Sequence, residues 1–191
     1  MRAAELTQPK TKAQRLWTHD EMLVELPETN VPMELWDGEI VKSPTPNPVH
    51  QTIVGSMYRG IDEFVRDHKA GRVFLSPLDV VLSEHRVVQP DVFFVSNANK
   101  DIIQDCIRGV PDLVVEVISR GSWKRVRVEK KALYEQVGIA EYWIIDPESR
   151  AIEVFALVKG VYQLHSRATE SELAKSKRLT GFRVSFSQLV V

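Results

Sequence analysis

Glu116 stands in the middle of Pro111-Asp112-Leu113-Val114-Val115-Glu116-Val117-Ile118-Ser119, a run apolar on both alternations around it. That is the pattern of a central strand covered on both faces. A carboxylate is unfavourable there unless a cation, a metal ion or a proton offsets its charge. Asp91 lies between Pro90 and the apolar run Val92-Phe93-Phe94-Val95. If the two strands are neighbours, Asp91 and Glu116 can share one divalent cation. Mg²⁺ takes oxygen ligands of this kind, with water and a substrate phosphate completing its shell. Otherwise Asp91 is a turn carboxylate at the start of a strand. Lys130 is the third candidate. Val126 lies four residues before it, and Leu133, Tyr134 and Val137 lie three, four and seven after it. On a helix this puts Lys130 on the apolar stripe and Lys124, Arg127 and Lys131 on the outward side. A lysine so placed buries its stem. It then either presents its ammonium to Glu116 or snorkels to water at the helix edge. Two acids and a lysine are the ingredients of metal-assisted phosphodiester hydrolysis, in which the lysine orients or helps deprotonate a water and offsets phosphoryl charge.

The elements that must position these groups are readable from local patterns. Thr18-His19-Asp20-Glu21 has the form of a capping box. It predicts a short helix that carries Met22, Leu23 and Leu26 inward and stops near Pro27. Asp37-Gly38 between Met33-Glu34-Leu35-Trp36 and Glu39-Ile40-Val41-Lys42 predicts a hairpin, because both central residues need positive φ. A proline-rich loop from Ser43 to Pro48 precedes the longest helical pattern, about Val49 to His68. Ile53, Met57, Ile61, Phe64 and Val65 form its apolar face, and Gly71 is its expected C-cap. Strands are expected over Arg72–Leu75, Leu78–Leu82 and Val87–Val95, then a loop or short helix over Ala98–Arg108. After the central strand come a helix from Trp123 to Val137 closed by Gly138 and a strand over Glu141–Ile145. A turn at Asp146-Pro147-Glu148-Ser149 follows. Ala151–Val158 and Val161–His165 are strands about a Lys159-Gly160 turn. Ser166–Thr180 is a polar excursion, and Phe182–Val191 is an apolar tail that packs back on the body. The order implies a mixed α/β domain with a long helix on one side of its sheet.

Composition bounds the class. The chain has 191 residues and a hydrophobic fraction of 43%, enough for one domain with a real core. The expected division is a flexible lead-in over 1–16 and a single domain over 17–191. The formal net charge is −1, so no global field recruits nucleic acid, and any such site must come from a local basic cluster. The single cysteine, Cys106, forms no internal disulfide and no thiolate zinc set. Neither a membrane-spanning run nor a signal segment is visible, so a soluble cytoplasmic protein is expected.

Six blocks carry a family resemblance: Met33-Glu34-Leu35-Trp36-Asp37-Gly38-Glu39, Pro48-Val49-His50, Gln89-Pro90-Asp91-Val92, Pro111 to Ser119, Lys130 through Leu133-Tyr134, and Gly138 to Pro147. In this order and spacing, from about Trp17 to Leu157, the chain resembles the Uma-type family of restriction-endonuclease-like proteins within the PD-(D/E)xK nuclease superfamily. The resemblance implies a restriction-endonuclease-like core, a mixed central sheet flanked by helices. It implies a Mg²⁺-dependent endonuclease acting on DNA, with Mn²⁺ as a substitute. Asp91 and Glu116 match the metal carboxylates. The superfamily's usual lysine position, two residues after that glutamate, is Ile118 here, and the lysine has moved to the next helix as Lys130. Glu34 matches an acidic position and is an accessory ligand or an exposed strand residue. His50 matches a histidine at the start of the long helix, with a catalytic, helix-start or packing role. The chain departs from the pattern at Ser119-Arg120-Gly121-Ser122, where family members commonly read Ser-Pro-Ser-Thr. It departs again at Val126, where an aspartate is usual one turn before the lysine.

From Arg120 to Lys131 there are six basic residues against one acidic, Glu129, with Trp123 among them. Arg120, Lys124, Arg125 and Arg127 are therefore candidates for holding a phosphate backbone, or else they form a solvated helix face. No base-reading motif is visible. A homodimer is an expectation carried by nucleases that cut both strands. The competing reading, motivated by Val126 and the altered turn, is a catalytically weakened module that binds nucleic acid or oligomerises. A third is a hydrolase of smaller phosphoesters.

Overall fold

The computed structural model describes residues 15–27, 31–43 and 45–191. Most of the expected lead-in lies outside these residues. Of its last two, Arg15 bonds to Glu21 and Glu25, and the Leu16 side chain rests on Gly38.

Two mixed sheets form the body. The larger has strand order β11-β10-β9-β8-β6-β3, built from β3 (Gly71–Leu75), β6 (Val92–Ser96), β8 (Leu113–Val117), β9 (Glu141–Asp146), β10 (Ala151–Val158) and β11 (Val161–Thr169). The smaller has order β2-β1-β5-β4-β7, built from β1 (Met33–Trp36), β2 (Glu39–Lys42), β4 (Val80–Ser83), β5 (Arg86–Val88) and β7 (Ile107–Arg108). β8 is central, antiparallel to β6 and parallel to β9. The parallel pair needs a crossover, which the helix over 123–137 supplies.

Alternation along β8 sends its side chains into two cores. Leu113, Val115 and Val117 meet α2 (Pro48–Asp67) through Ile53, Met57, Ile61 and Val65, while Val114 packs with Val126, Leu133, Tyr134 and Tyr142 on the other face. Full burial of each aliphatic chain contributes on the order of 1.5–3 kcal/mol. Glu116 shares the face of Val114 by period two, so it points toward the crossover helix. β6 obeys the same rule: Val92 and Phe94 face α2, and Phe93 and Val95 face the crossover. The small sheet packs Val80, Val88 and Ile107 onto that second core. Leu35 and Val87 face away, toward Met22 of α1 (His19–Glu25).

The capping box at Thr18 and the hairpin both form as expected. Asp37 and Gly38 have φ of 50° and 84°. Four local expectations are corrected. Leu23 points to solvent, 61% exposed, because α1 turns His19 and Met22 against the body, with Leu26 at its C-cap. Gly71 does not cap α2: Lys69 takes the left-handed turn (φ 50°), and Gly71 opens β3, where a Cβ would stand 2.1 Å from the Val95 carbonyl oxygen. The run Val87–Val95 is broken at Gln89-Pro90-Asp91, and its halves belong to different sheets. β11 continues to Thr169, into what reads as excursion. The tail does pack back, through β13 (Arg183–Val184) paired with β12 (Ala174–Lys175), and through Phe186 and Leu189 of α4 (Phe186–Leu189). Among the described residues no helix is long and apolar enough to cross a membrane.

Candidate active site

The register Val92↔Val115, Phe93↔Val114, Phe94↔Leu113 continues by one residue to set Asp91 opposite Glu116. The break that separates β5 from β6 therefore does specific work. Gln89-Pro90-Asp91 crosses between the sheets. The Gln89 N–H donates to Glu34 Oε1 (3.0 Å) on one side, and Asp91 Oδ2 accepts from the Val117 N–H (2.7 Å) on the other.

Lys130 is buried, with Nζ 2.7 Å from Glu116 Oε1 and 2.8 Å from Glu34 Oε1. The snorkelling alternative is excluded by this geometry. The Tyr134 hydroxyl also donates to Glu116 Oε1 (2.7 Å). Tyr134 was legible only as a core residue. Its position four after Lys130 is the signal that could have found it, since i and i+4 share a helix face. Glu34 is engaged throughout: besides Lys130 and Gln89, the Trp36 indole N–H donates to its Oε2 (3.0 Å). Glu34 and Trp36 lie on the face of β1 opposite Leu35. Glu34 is thus buried, neither exposed nor open toward the cleft, and its contacts fit an anchor for Lys130 better than an accessory ligand.

His50 opens α2. Its backbone N–H is capped by Asn47 Oδ1 (2.9 Å), and its ring Nε2 lies 3.3 Å from Asp91 Oδ2. Its other ring nitrogen is buried without a hydrogen-bond partner among the described residues. Helix-start and site roles coincide in this one residue.

Two carboxylates share one ammonium, and they share it unequally. Burial opposes ionisation of Glu34, but Lys130, Gln89 and Trp36 outweigh it and hold Glu34 below the ordinary carboxylate value. Burial pushes Glu116 up to about 7; Lys130 opposes this, and Asp91 and Glu34 add to it. Burial would lower Lys130, but Glu116 and Glu34 raise it above the ordinary lysine value. Lys130 is therefore a fixed positive charge near neutral pH and not a proton acceptor. Burial also disfavours charged His50, yet Asp91 and Glu116 outweigh it and raise the imidazole.

Above these groups lies a cleft of about 100 Å³, reached by Asp91, Glu116, Lys130, His50, Ser122 and Arg125. Among the described residues no group of three or more His, Cys, Asp or Glu side chains is arranged to hold a metal ion. The pair Asp91 and Glu116 is nevertheless a fitting donor set for Mg²⁺, which is commonly bound by one or two carboxylates and keeps several waters. In each acid one oxygen is held by protein donors, and no described residue donates to the other.

The crossover helix is wound in two ways. Arg125–Lys130 is π-helical and continues into α3 (Lys131–Val137), which Gly138 closes in the left-handed conformation (φ 89°). In α-winding, positions five apart lie about 140° apart around the axis. In π-winding they stack. Arg125 and Lys130, five apart in this segment, both line the cleft. The Tyr142 hydroxyl donates to the Val126 carbonyl (3.0 Å) within this widened segment. Val126 itself is buried among apolar neighbours. The altered turn is ordered by Ser122, whose Oγ accepts from the Ser119 N–H (2.8 Å).

The four basic candidates separate. Arg125 lines the cleft, and Arg120 is exposed; neither has an ion-pair partner among the described residues. Lys124 pairs with Glu129 (3.5 Å). Arg127 is drawn away from the cleft by Glu153 and by Asp146 (3.5 Å), two carboxylates on adjacent strands.

Comparison with known proteins agrees with this architecture. A crystal structure of a "putative nuclease belonging to DUF820" from Anabaena variabilis ATCC 29413 matches with a TM-score of 0.72, covering 91% of this chain and 97% of that one. At 22% identity the likeness is one of fold, and it supports a restriction-endonuclease-like mixed α/β core. No curated protein matches the sequence. Residues 20–187 match Uma2, the family described as "Putative restriction endonuclease", and the chain therefore belongs to the Uma2 family.

Proposed function

We propose that the protein is a divalent-metal-dependent endonuclease that hydrolyses DNA phosphodiester bonds at the cleft between Asp91 and Glu116, with Mg²⁺ as the working ion. The observation that carries this reading is Lys130, buried and held at 2.7 and 2.8 Å from two carboxylates directly beneath the cleft. Asp91 and Glu116 would hold the divalent cation, which would supply Lewis acidity toward the scissile phosphate and activation of water. The chain does the rest. The Val117 N–H fixes Asp91 Oδ2, and Lys130 and Tyr134 fix Glu116 Oε1, so each acid presents its remaining oxygen in one orientation. Lys130 keeps a positive charge beside the developing phosphoryl charge, and Glu34 keeps Lys130 in place. Arg125 at the cleft wall steers a phosphate toward the site.

The test is cleavage of plasmid and oligonucleotide DNA with Mg²⁺ or Mn²⁺. Cutting is expected in the native protein and is expected to vanish in Asp91→Asn and Glu116→Gln, both still folded by circular dichroism. A native protein that neither binds these ions nor nicks any DNA sinks the reading. Val126, apolar and buried where the family commonly places an acid, favours the second reading of a nucleic-acid-binding module with weakened catalysis. Salt-sensitive binding without metal-dependent cleavage would select it.

A further inference from the structure

The chain has four tryptophans, and three have packing or hydrogen-bonding roles. Trp143 is fully buried and donates to Glu141, Trp36 donates to Glu34, and Trp17 packs in the small core beside Met22 with Arg15 over its ring. Trp123 is different. It is 56% exposed, has no hydrogen-bond partner among the described residues, and belongs to neither main core. It stands in the first turn of the crossover helix, next to Ser122 and two residues before Arg125, both of which line the cleft. The Arg127 guanidinium, itself held by Glu153 and Asp146, lies 5.9 Å from the Trp123 ring centroid. A guanidinium fixed over the ring steadies the indole by cation–π attraction while much of it stays in water. Large exposed aromatic surface flanked by unpaired basic groups, here Arg120 and Arg125, is the combination that binds single strands, because every base offers a π-face.

We infer that Trp123 is a stacking platform for an unpaired base, so that the substrate strand is single-stranded or unpaired beside the scissile phosphate. This rests on the nuclease reading above and narrows its substrate class. Inside a duplex both faces of a base are already covered by its neighbours, so only an unpaired or terminal base can reach the indole. The cleft agrees with this. Glu116 and Lys130 are almost wholly buried beneath about 100 Å³ of open space, which admits one strand's phosphate more readily than the side of a double helix.

The full-length protein in EDTA, where no cleavage intervenes, is titrated with a short labelled single strand and with a blunt hairpin duplex of the same sequence. Anisotropy and tryptophan emission are both followed. The single strand is expected to bind more tightly and to quench emission. Trp123→Ala, a surface change, should weaken single-strand binding by roughly five- to a hundredfold and abolish the quenching, as loss of one base stack does. Trp123→Phe should retain most of the affinity, and duplex binding should be the same in all three proteins. Unchanged single-strand binding in Trp123→Ala overturns the inference, as does a duplex bound as tightly as the single strand. If duplex is bound and cut with no dependence on Trp123, only this inference falls. If neither nucleic acid binds and neither is cut with Mg²⁺ restored, the nuclease reading falls with it.

Discussion

The local chemistry turns on how one lysine divides its charge. Glu34 has three donors and keeps its negative charge; Glu116, facing Asp91, takes up a proton near neutrality. Removing Glu34 leaves Lys130 with Glu116 as its one carboxylate partner and strips the Gln89 N–H and the Trp36 indole N–H of their acceptor, so Glu34→Ala is expected to destabilise the protein by about 1–3 kcal/mol. A urea midpoint unchanged from the native protein would show that Glu34 does not hold Lys130. Glu116 gives a pH signature. Its folded pKa of about 7 lies above the ordinary 4.5, so between those values the native state binds the extra proton. Stability must then fall as pH rises through that window, and the favourable contribution is complete only below it. Measured against Glu116→Gln, which cannot titrate there, the native protein should lose about 3 kcal/mol between the two pH values. A pH-independent difference between the two proteins would contradict the raised pKa.

At the scale of elements, the π-wound stretch decides which basic residue faces the cleft. Sequence periodicity placed Lys130 inward, where it is buried, and Arg127 off the apolar stripe, where it is half-buried against Glu153 and Asp146. It could not place Arg125, because the widened turn breaks the 100° spacing on which such readings depend. The two arginines should therefore behave differently. Arg125→Ala is expected to flatten the dependence of log affinity for DNA on log salt by about 0.7–0.9, the loss of one phosphate contact. Arg127→Ala should leave that slope unchanged, while its two carboxylate partners lose their cation and thermal stability falls. Equal salt slopes in the two variants would mean that Arg125 does not meet the backbone. The hairpin, the capping box and the apolar stripe of α2 were legible because each is fixed within a few residues. The break at Gln89-Pro90-Asp91 was not, since an apolar run on either side of a proline reads the same whether its halves share a sheet or part.

Across the whole molecule, the site lies where the two sheets converge, and a second buried carboxylate fixes the C-terminal excursion elsewhere. Glu141 begins β9 and points toward the α2 core with Trp143. It accepts from the Trp143 indole N–H (2.7 Å), Ser176 Oγ (2.6 Å), the Lys177 N–H (2.6 Å) and the Arg178 N–H (2.8 Å). Arg178 then reaches Asp112 at 2.5 Å. A neutral amide in place of Glu141 would set an NH₂ against backbone donors. Glu141→Gln is thus expected to cost about 1.5–3 kcal/mol. Amide exchange at Lys177 and Arg178 should quicken ahead of global opening. Exchange there as slow as in the native protein would refute this anchoring. Glu141 lies inside the block Gly138 to Pro147 but reads there as an ordinary strand-start residue, because its four donors come from its own strand and from a loop more than thirty residues away.

The sequence by itself determined the central strand with its misplaced acid, the helix stripe carrying Lys130, the hairpin, the mixed α/β class and the blocks that mark the family. The structural features follow from alternation, helical spacing and turn chemistry, which act over short stretches, whereas the blocks speak only through their resemblance to the family. Only the tertiary structure decided that Asp91 lies across from Glu116, that Glu34 and Tyr134 join Lys130 around it, and that Arg127 is drawn away while Arg125 stays. Hydrogen bonds and ion pairs reach about 3 Å and depend on where distant strands come to rest. No spacing along the chain encodes that position.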